Sequence, residues 1–183
     1  WGQGKKPALS AFKEKYGLSG AAISAVDLIK GIAICAGLDS IDVEGATGTL
    51  HTNYDGKKDA AIKAFEEGKD FVYMHLEGPD ECGHQADIDG KIEALEKIDE
   101  LVLKPVVEHL KESGEDFKVL IVPDHRTPIC IRTHSSTPVP YVIYRSDDVK
   151  EKDSSRGFNE TAGEASGRFF EQGYEMADYF FAG

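Results

Sequence analysis

The chain predicts an α/β domain, built as a mainly parallel sheet flanked by helices, and three observations point there. Short apolar runs of strand length alternate with longer runs at helical spacing. At 183 residues the chain has enough apolar material for one proper core, with 40% hydrophobic and 30% charged residues. Its two segments densest in Asp and His, G-P-D-E-C-G-H and P-D-H-R-T-P, each follow directly on an apolar run. In open parallel sheets, sites collect outside the carboxyl ends of the strands.

Each element has its own signal. Ala21 to Ala25 reads as a short buried strand, and Asp27 to Ala36 as a helix whose alanines and glycines suit close packing on a sheet. Ile41 to Val43 is a second strand. It leads into G-A-T-G-T, residues 45 to 49, a small-residue loop that lacks a P-loop lysine and reads best as a turn. Lys57 to Glu67 carries Ala61, Ile62 and Phe65 at helical spacing. Phe71 to Leu76 is a third strand. A long amphipathic helix follows, with Ile88, Ile92, Leu95, Ile98 and Val102 on one face. Pro105 is expected to kink or end it, with helix resuming over Val106 to Leu110. Val119 to Val122 and Val139 to Tyr144 are the fourth and fifth strands, and a closing helix is expected near Gly167 to Phe180. A weak boundary lies near Asp147 to Asn159, where charge rises and apolar content falls.

Charge and cysteine usage exclude several classes. Net charge is 21 − 33 = −12. That argues against nucleic acid or an anionic membrane surface as partner, since both need a basic footprint. An anionic substrate stays compatible if metal ions supply the positive charge. No apolar run reaches transmembrane length and no signal peptide is visible. Three widely spaced cysteines, Cys35, Cys82 and Cys130, fit a reduced cytoplasm. Cys35, in G-I-A-I-C-A-G, reads as a buried inert thiol, and Cys82 as a bystander rather than a soft-metal ligand.

The chemistry concentrates in five residues: Asp80 and His84, then Asp124 and His125, then His134. All offer carboxylate oxygen or imidazole nitrogen, the donors that divalent metals accept. Five exceed what one catalytic ion usually takes from protein, which suggests two ions sharing a pocket, an arrangement suited to holding a phosphate during displacement. Asp80 and His84, four apart, face one way in a helical turn or compact loop. Asp124 and His125 are adjacent. They share an ion only where the strand breaks, as Thr127-Pro128 suggests, or else they reach towards different ions. Arg126 and Arg132 flank the set and suit bidentate contact with phosphate or carboxylate, with surface ion pairs as the plainer alternative. A single Asp-x-x-x-His usually means no more than a solvated pair; convergence of three segments on strand ends is what strengthens this one. His75, His51 and His109 are ordinary by comparison: His75 reads as a satisfied core residue and His109 as solvent-facing.

Several long stretches, in order, resemble the C-terminal part of the archaeal-type, cofactor-independent phosphoglycerate mutases. That group includes proposed homoserine kinases and belongs to the alkaline phosphatase superfamily. The stretches are W-G-Q-G at Trp1, K-Y-G-L-S-G-A-A-I-S-A-V-D-L-I-K-G-I-A from Lys15 and V-E-G-A-T-G from Val43. D-F-V-Y-M-H-L-E-G-P-D-E-C-G-H from Asp70, K-I-E-A-L-E-K-I-D from Lys91, V-P-D-H-R-T-P from Val122 and R-T-H-S-S-T-P-V-P from Arg132 complete them.

The resemblance implies an alkaline-phosphatase-like core, here partial, with residues 1–183 as the C-terminal portion of the metal-binding catalytic domain. It implies two divalent ions (Mn, Zn or Mg) in the intact protein and one or none in this chain. Asp80, His84 and His134 would hold one ion, and Asp124 and His125 the other. The family completes the second ion with an Asp and a nucleophilic Ser from an N-terminal segment. That segment and the inserted cap domain are expected to be absent here, leaving apolar surface open to self-association. The implied reaction interconverts 2- and 3-phosphoglycerate, in glycolysis, through a phosphoserine; the chain alone is expected to be inactive or very weak. Alternatives are phosphate-ester hydrolysis, another phosphotransfer of the superfamily, or an inactive metal-binding fragment. A kinase activity lacks support, since neither a Walker loop nor a kinase Gly-rich loop is present.

Overall fold

A computed structural model of the chain describes residues 4–148 and 157–182, and these fall into two compact units, Trp1–His109 and Leu110–Gly183. The first holds a three-stranded parallel sheet. Its strands are β1 (Gly20–Ile23), β2 (Asp39–Ile41) and β3 (Phe71–Met74), in the order β2-β1-β3. Ala21 pairs with Asp39 on one side and with Val72 on the other. The central strand is buried along its whole length, as a parallel strand covered on both faces should be. Gly20 belongs there for a steric reason: a Cβ would overlap the Leu38 side chain and press on the Phe71 ring.

The helices of this unit are α1 (Phe12–Tyr16), α2 (Asp27–Cys35), α3 (Tyr54–Glu66), α4 (Gly78–Gln85) and α5 (Ile88–Lys97). Asn53 caps α3 by accepting from Gly56 N, and Asp87 caps α5 by accepting from Gly90 N, both at 2.9 Å. Helix α3 turns Tyr54, Lys57, Ala61 and Ala64 inward. Helix α5 reverses the expectation from its apolar stripe. Its buried positions are Gly90 and Ala94, while Ile88, Ile92 and Leu95 are each more than half exposed. Small residues let α4 come close: a Cβ added at Gly78 would stand 3.5 Å from the Ala94 Cβ.

Residues 98–103 form a π-helical turn and α6 (Lys104–Ser113) continues from it. Pro105 therefore does not end the helix. Lys104 N donates to Asp99 O, five residues back. The wider turn meets the proline, whose nitrogen carries no hydrogen to donate, at a point where the regular ladder is already interrupted.

The second unit carries β4 (Lys118–Ile121) and β5 (Val142–Arg145), which pair antiparallel with Lys118 opposite Arg145. The parallel character thus belongs to the first three strands. Helices α7 (Glu160–Ala165) and α8 (Glu175–Phe181) complete it. The expected closing helix is shorter than its apolar pattern: Gly167 takes a left-handed φ of 66° after α7, and helix resumes only at Glu175. The Lys118 ammonium donates to Phe180 O and Ala182 O, at 3.2 and 3.1 Å, holding the C-terminal carbonyls of α8. The boundary expected near Asp147 to Asn159 lies largely outside the described residues.

Candidate metal centre

Asp80 and His84 sit on α4, immediately after β3. Pro79 in the first turn fixes a helical φ and its missing N–H costs nothing there. Ala86 then closes the helix in the left-handed conformation at φ 57°. One helical turn apart, the two side chains meet, with His84 Nε2 3.4 Å from Asp80 Oδ2 and both half-buried. Of the two geometries open to Asp-x-x-x-His, the structure takes the helical turn.

Asp124 and His125 follow β4, which ends at Ile121. The strand breaks there, so the adjacent side chains turn the same way. His125 N donates to Asp124 Oδ1 at 3.0 Å, and His125 Nε2 lies 3.3 Å from Asp124 Oδ2. Thr127 Oγ1 is 3.4 Å from His125 Nδ1. The chain then turns back on itself: Ile131 N and Arg132 N both donate to Pro128 O, and Arg132 adopts φ 54°. Arg126 and Ser135 form an antiparallel bridge, closed by Ser135 N donating to Arg126 O at 3.0 Å. This return brings His134 against His125, ring centroids 3.7 Å apart.

Each Asp–His pair fits one ion. Two donors bound tetrahedrally at about 2.0–2.2 Å lie about 3.3–3.6 Å apart; the observed gaps are 3.4 and 3.3 Å. The donor set is all oxygen and imidazole nitrogen, without thiolate. Cys82, on α4 between the two candidate ligands, is buried, and burial pushes its thiol above its ordinary pKa.

The remaining predicted residues divide. Arg126 Nε donates to Pro138 O at 2.7 Å and stands 3.9 Å from Glu160, so part of its guanidinium braces the loop. Arg132 is exposed. His75 lies just past β3 rather than within it and is half-buried rather than in the core; it has the expected partner, with Nδ1 3.2 Å from Ser24 Oγ. His109 is half-buried rather than solvent-facing, and Cys35 is half-buried rather than enclosed. One buried charged residue had no place in the sequence reading: Lys57, only 1% exposed, whose ammonium donates to His75 O at 3.1 Å. Its signal was its place three residues from Tyr54 and four from Ala61, a lysine on the face that α3 buries.

Comparison with known proteins follows the same lines. A family profile described as the metalloenzyme superfamily matches residues 1–176. The 2,3-bisphosphoglycerate-independent phosphoglycerate mutase of Methanosarcina barkeri is 49% identical over 160 residues, which are 87% of this chain and 40% of that protein. The protein of the same name from Methanothrix thermoacetophila is 48% identical over 183 residues, covering 100% of this chain and 46% of that one. The solved structure of PH0037 from Pyrococcus horikoshii superposes with a TM-score of 0.74 at 30% identity, over 85% of this chain and 45% of that one. A cofactor-independent phosphoglycerate mutase structure from Thermoplasma acidophilum, at 24% identity, shares the fold with a TM-score of 0.60. The chain spans about two fifths of the length of the curated relatives it matches.

Proposed function

We propose that this chain, which belongs to the metalloenzyme superfamily, is the metal-binding C-terminal part of an enzyme that interconverts 2- and 3-phosphoglycerate. The observation that carries the reading is the pair of Asp–His sets, each with the donor spacing of one ion, in a chain whose relatives bear that activity in their names. Asp80, His84 and His134 are assigned to one ion, and Asp124 and His125 to the other. The contact between His125 and His134 is compatible with that division, since the ions of a two-metal site stand about 3.5–4 Å apart and their ligands crowd together.

When bound, such ions neutralise charge on a transferring phosphoryl group and lower the pKa of a hydroxyl nucleophile. This chain's residues hold and orient. The α4 backbone fixes Asp80 relative to His84, and the turn over Pro128 sets His134 beside His125. Arg132 and Arg126 are assigned to the anionic substrate, a small phosphorylated molecule. The nucleophilic serine, the last ligands of the second ion and the cap that excludes water are assigned to the N-terminal part of the same protein. Transfer in that protein runs through a phosphoserine, as a step of glycolysis in the cytoplasm. The proposed ions are manganese, zinc or magnesium. This polypeptide alone is assigned one ion at most, little or no turnover, and self-association through the apolar residues it exposes.

The test is metal content and mutase activity measured together, on this chain and on the longer protein, with 3-phosphoglycerate and added manganese or zinc. The expected result is phosphoglycerate interconversion by the longer protein, with His84→Ala and His134→Ala each abolishing it and weakening metal binding at least about 100-fold, beyond what outer-shell changes cost. A metal-loaded protein that only hydrolyses phosphate esters would overturn the reaction and keep the site. Turnover by this chain alone would overturn the assignment of the serine.

A further inference from the structure

Helix α4 carries two of the proposed ligands, yet Glu77, at its N-cap position, makes no side-chain cap bond. Its placement comes from outside. A Cβ added at Gly78 would come within 3.5 Å of Leu50 Cα, Thr49 O and Ala94 Cβ, and a Cβ on Gly48 would overlap the Glu77 carboxylate. His75 N donates to Ile23 O at 2.9 Å. A further hold is Lys57. With Ile23 it is one of the largest fully buried side chains among the described residues, and its ammonium donates to His75 O at 3.1 Å. Lysine is almost never fully buried without a partner. Burial lowers its pKa, and the nearby Glu77 carboxylate opposes that.

We propose that Lys57 is a positioning residue: by holding His75 O beside Glu77, it fixes the β3–α4 turn and thereby the orientation of Asp80 and His84. The geometry stands by itself; what the oriented pair does rests on the metal reading above. A lysine placed only to fill the core would, when replaced by an apolar side chain of similar length, change global stability without loosening α4 selectively. Replacing a positioning lysine would loosen α4 selectively.

The experiment compares Lys57→Met with Ala64→Gly, a change on the same buried face of α3 that lowers global stability without touching the turn. Amide hydrogen exchange is followed across residues 78–85 in the metal-free chain, and manganese and zinc affinity by calorimetry. Lys57→Met is expected to speed exchange in α4 about tenfold relative to Ala64→Gly at matched global stability. It should also weaken metal binding about 10-fold, the lower end of outer-shell effects. Equal α4 exchange in the two variants would overturn the proposal. If Lys57→Met fails to fold, Lys57→Arg, which keeps a donor and a charge, takes its place. Metal affinity nearer to the parent's than to that of His84→Ala is then expected, and a loss as large as that of His84→Ala would overturn the role. Should neither this chain nor the longer protein bind either metal, the functional reading fails, while the exchange comparison still decides the proposal.

Discussion

Asp70 shows how a single exposed carboxylate can join two strands. Its Oδ2 accepts from both Ser19 N and Ser19 Oγ at 2.7 Å, tying the residue before β1 to the residue before β3. Those hydrogen bonds hold its carboxyl below the ordinary value near 3.8. A depressed acid contributes stability that is fully present above the unfolded pKa and is lost as pH falls through the folded one. Asp70→Asn should therefore melt lower than the parent at pH 7, and the gap should narrow as pH drops below about 3.8. Thermal unfolding from pH 7 to pH 2.5 checks the sign; a gap that widens in acid would refute it. The five candidate ligands were legible because their donor types are rare together and recur just past strands. Whether Asp124 and His125 share a direction was not legible, because it depends on where β4 stops. Lys57 was hidden for another reason: composition cannot say that an ammonium is buried.

At the scale of elements, the stops and caps matter most. Asp87→Ala removes the cap of α5 and should cost about 0.5–2 kcal/mol, read from the urea midpoint. Gly20→Ala should cost about 1–3 kcal/mol, because its methyl enters a filled space between Leu38 and Phe71. Strands β1, β3 and β4 were readable within a residue or two, since β-branched and small apolar runs bounded by Gly and Pro leave little choice. The antiparallel pairing of β4 with β5 was not readable, as pairing is a long-range property that strand patterns do not encode. Pro105 misled for a local reason: the π-helical turn before it had already set aside the hydrogen bond that a proline would break. The stripe Ile88, Ile92 and Leu95 misled as well. Spacing tells which residues share a face, whereas Gly90 and Ala94 are the buried positions and Ala94 meets α4 at Gly78, because closeness, not greasiness, decides how α4 and α5 meet.

At the scale of the molecule, the candidate ligands are divided between the two compact units, two in Trp1–His109 and three in Leu110–Gly183. No helix among the described residues is long and apolar enough to cross a membrane. The apolar residues exposed on α2 and α5, among them Leu28, Ile32, Ile88, Ile92 and Leu95, lead to a prediction. In sedimentation, the isolated chain should gain mass with concentration over about 1–100 μM, a range typical of modest apolar contacts. The double change Ile92→Glu and Leu95→Glu should abolish that gain, and an unchanged profile would remove α5 from the contact.

Helix α4 has a thermodynamic consequence of its own. It has eight residues, below the length at which a helix holds in isolation, and it carries both members of an Asp–His pair one turn apart. An ion bridging that turn would bind the wound helix and not the frayed one, so occupancy and winding become one linked equilibrium. Every tenfold rise in free metal above the dissociation constant would then deepen the wound state by about 1.4 kcal/mol, and a chelator would act on α4 as a local denaturant.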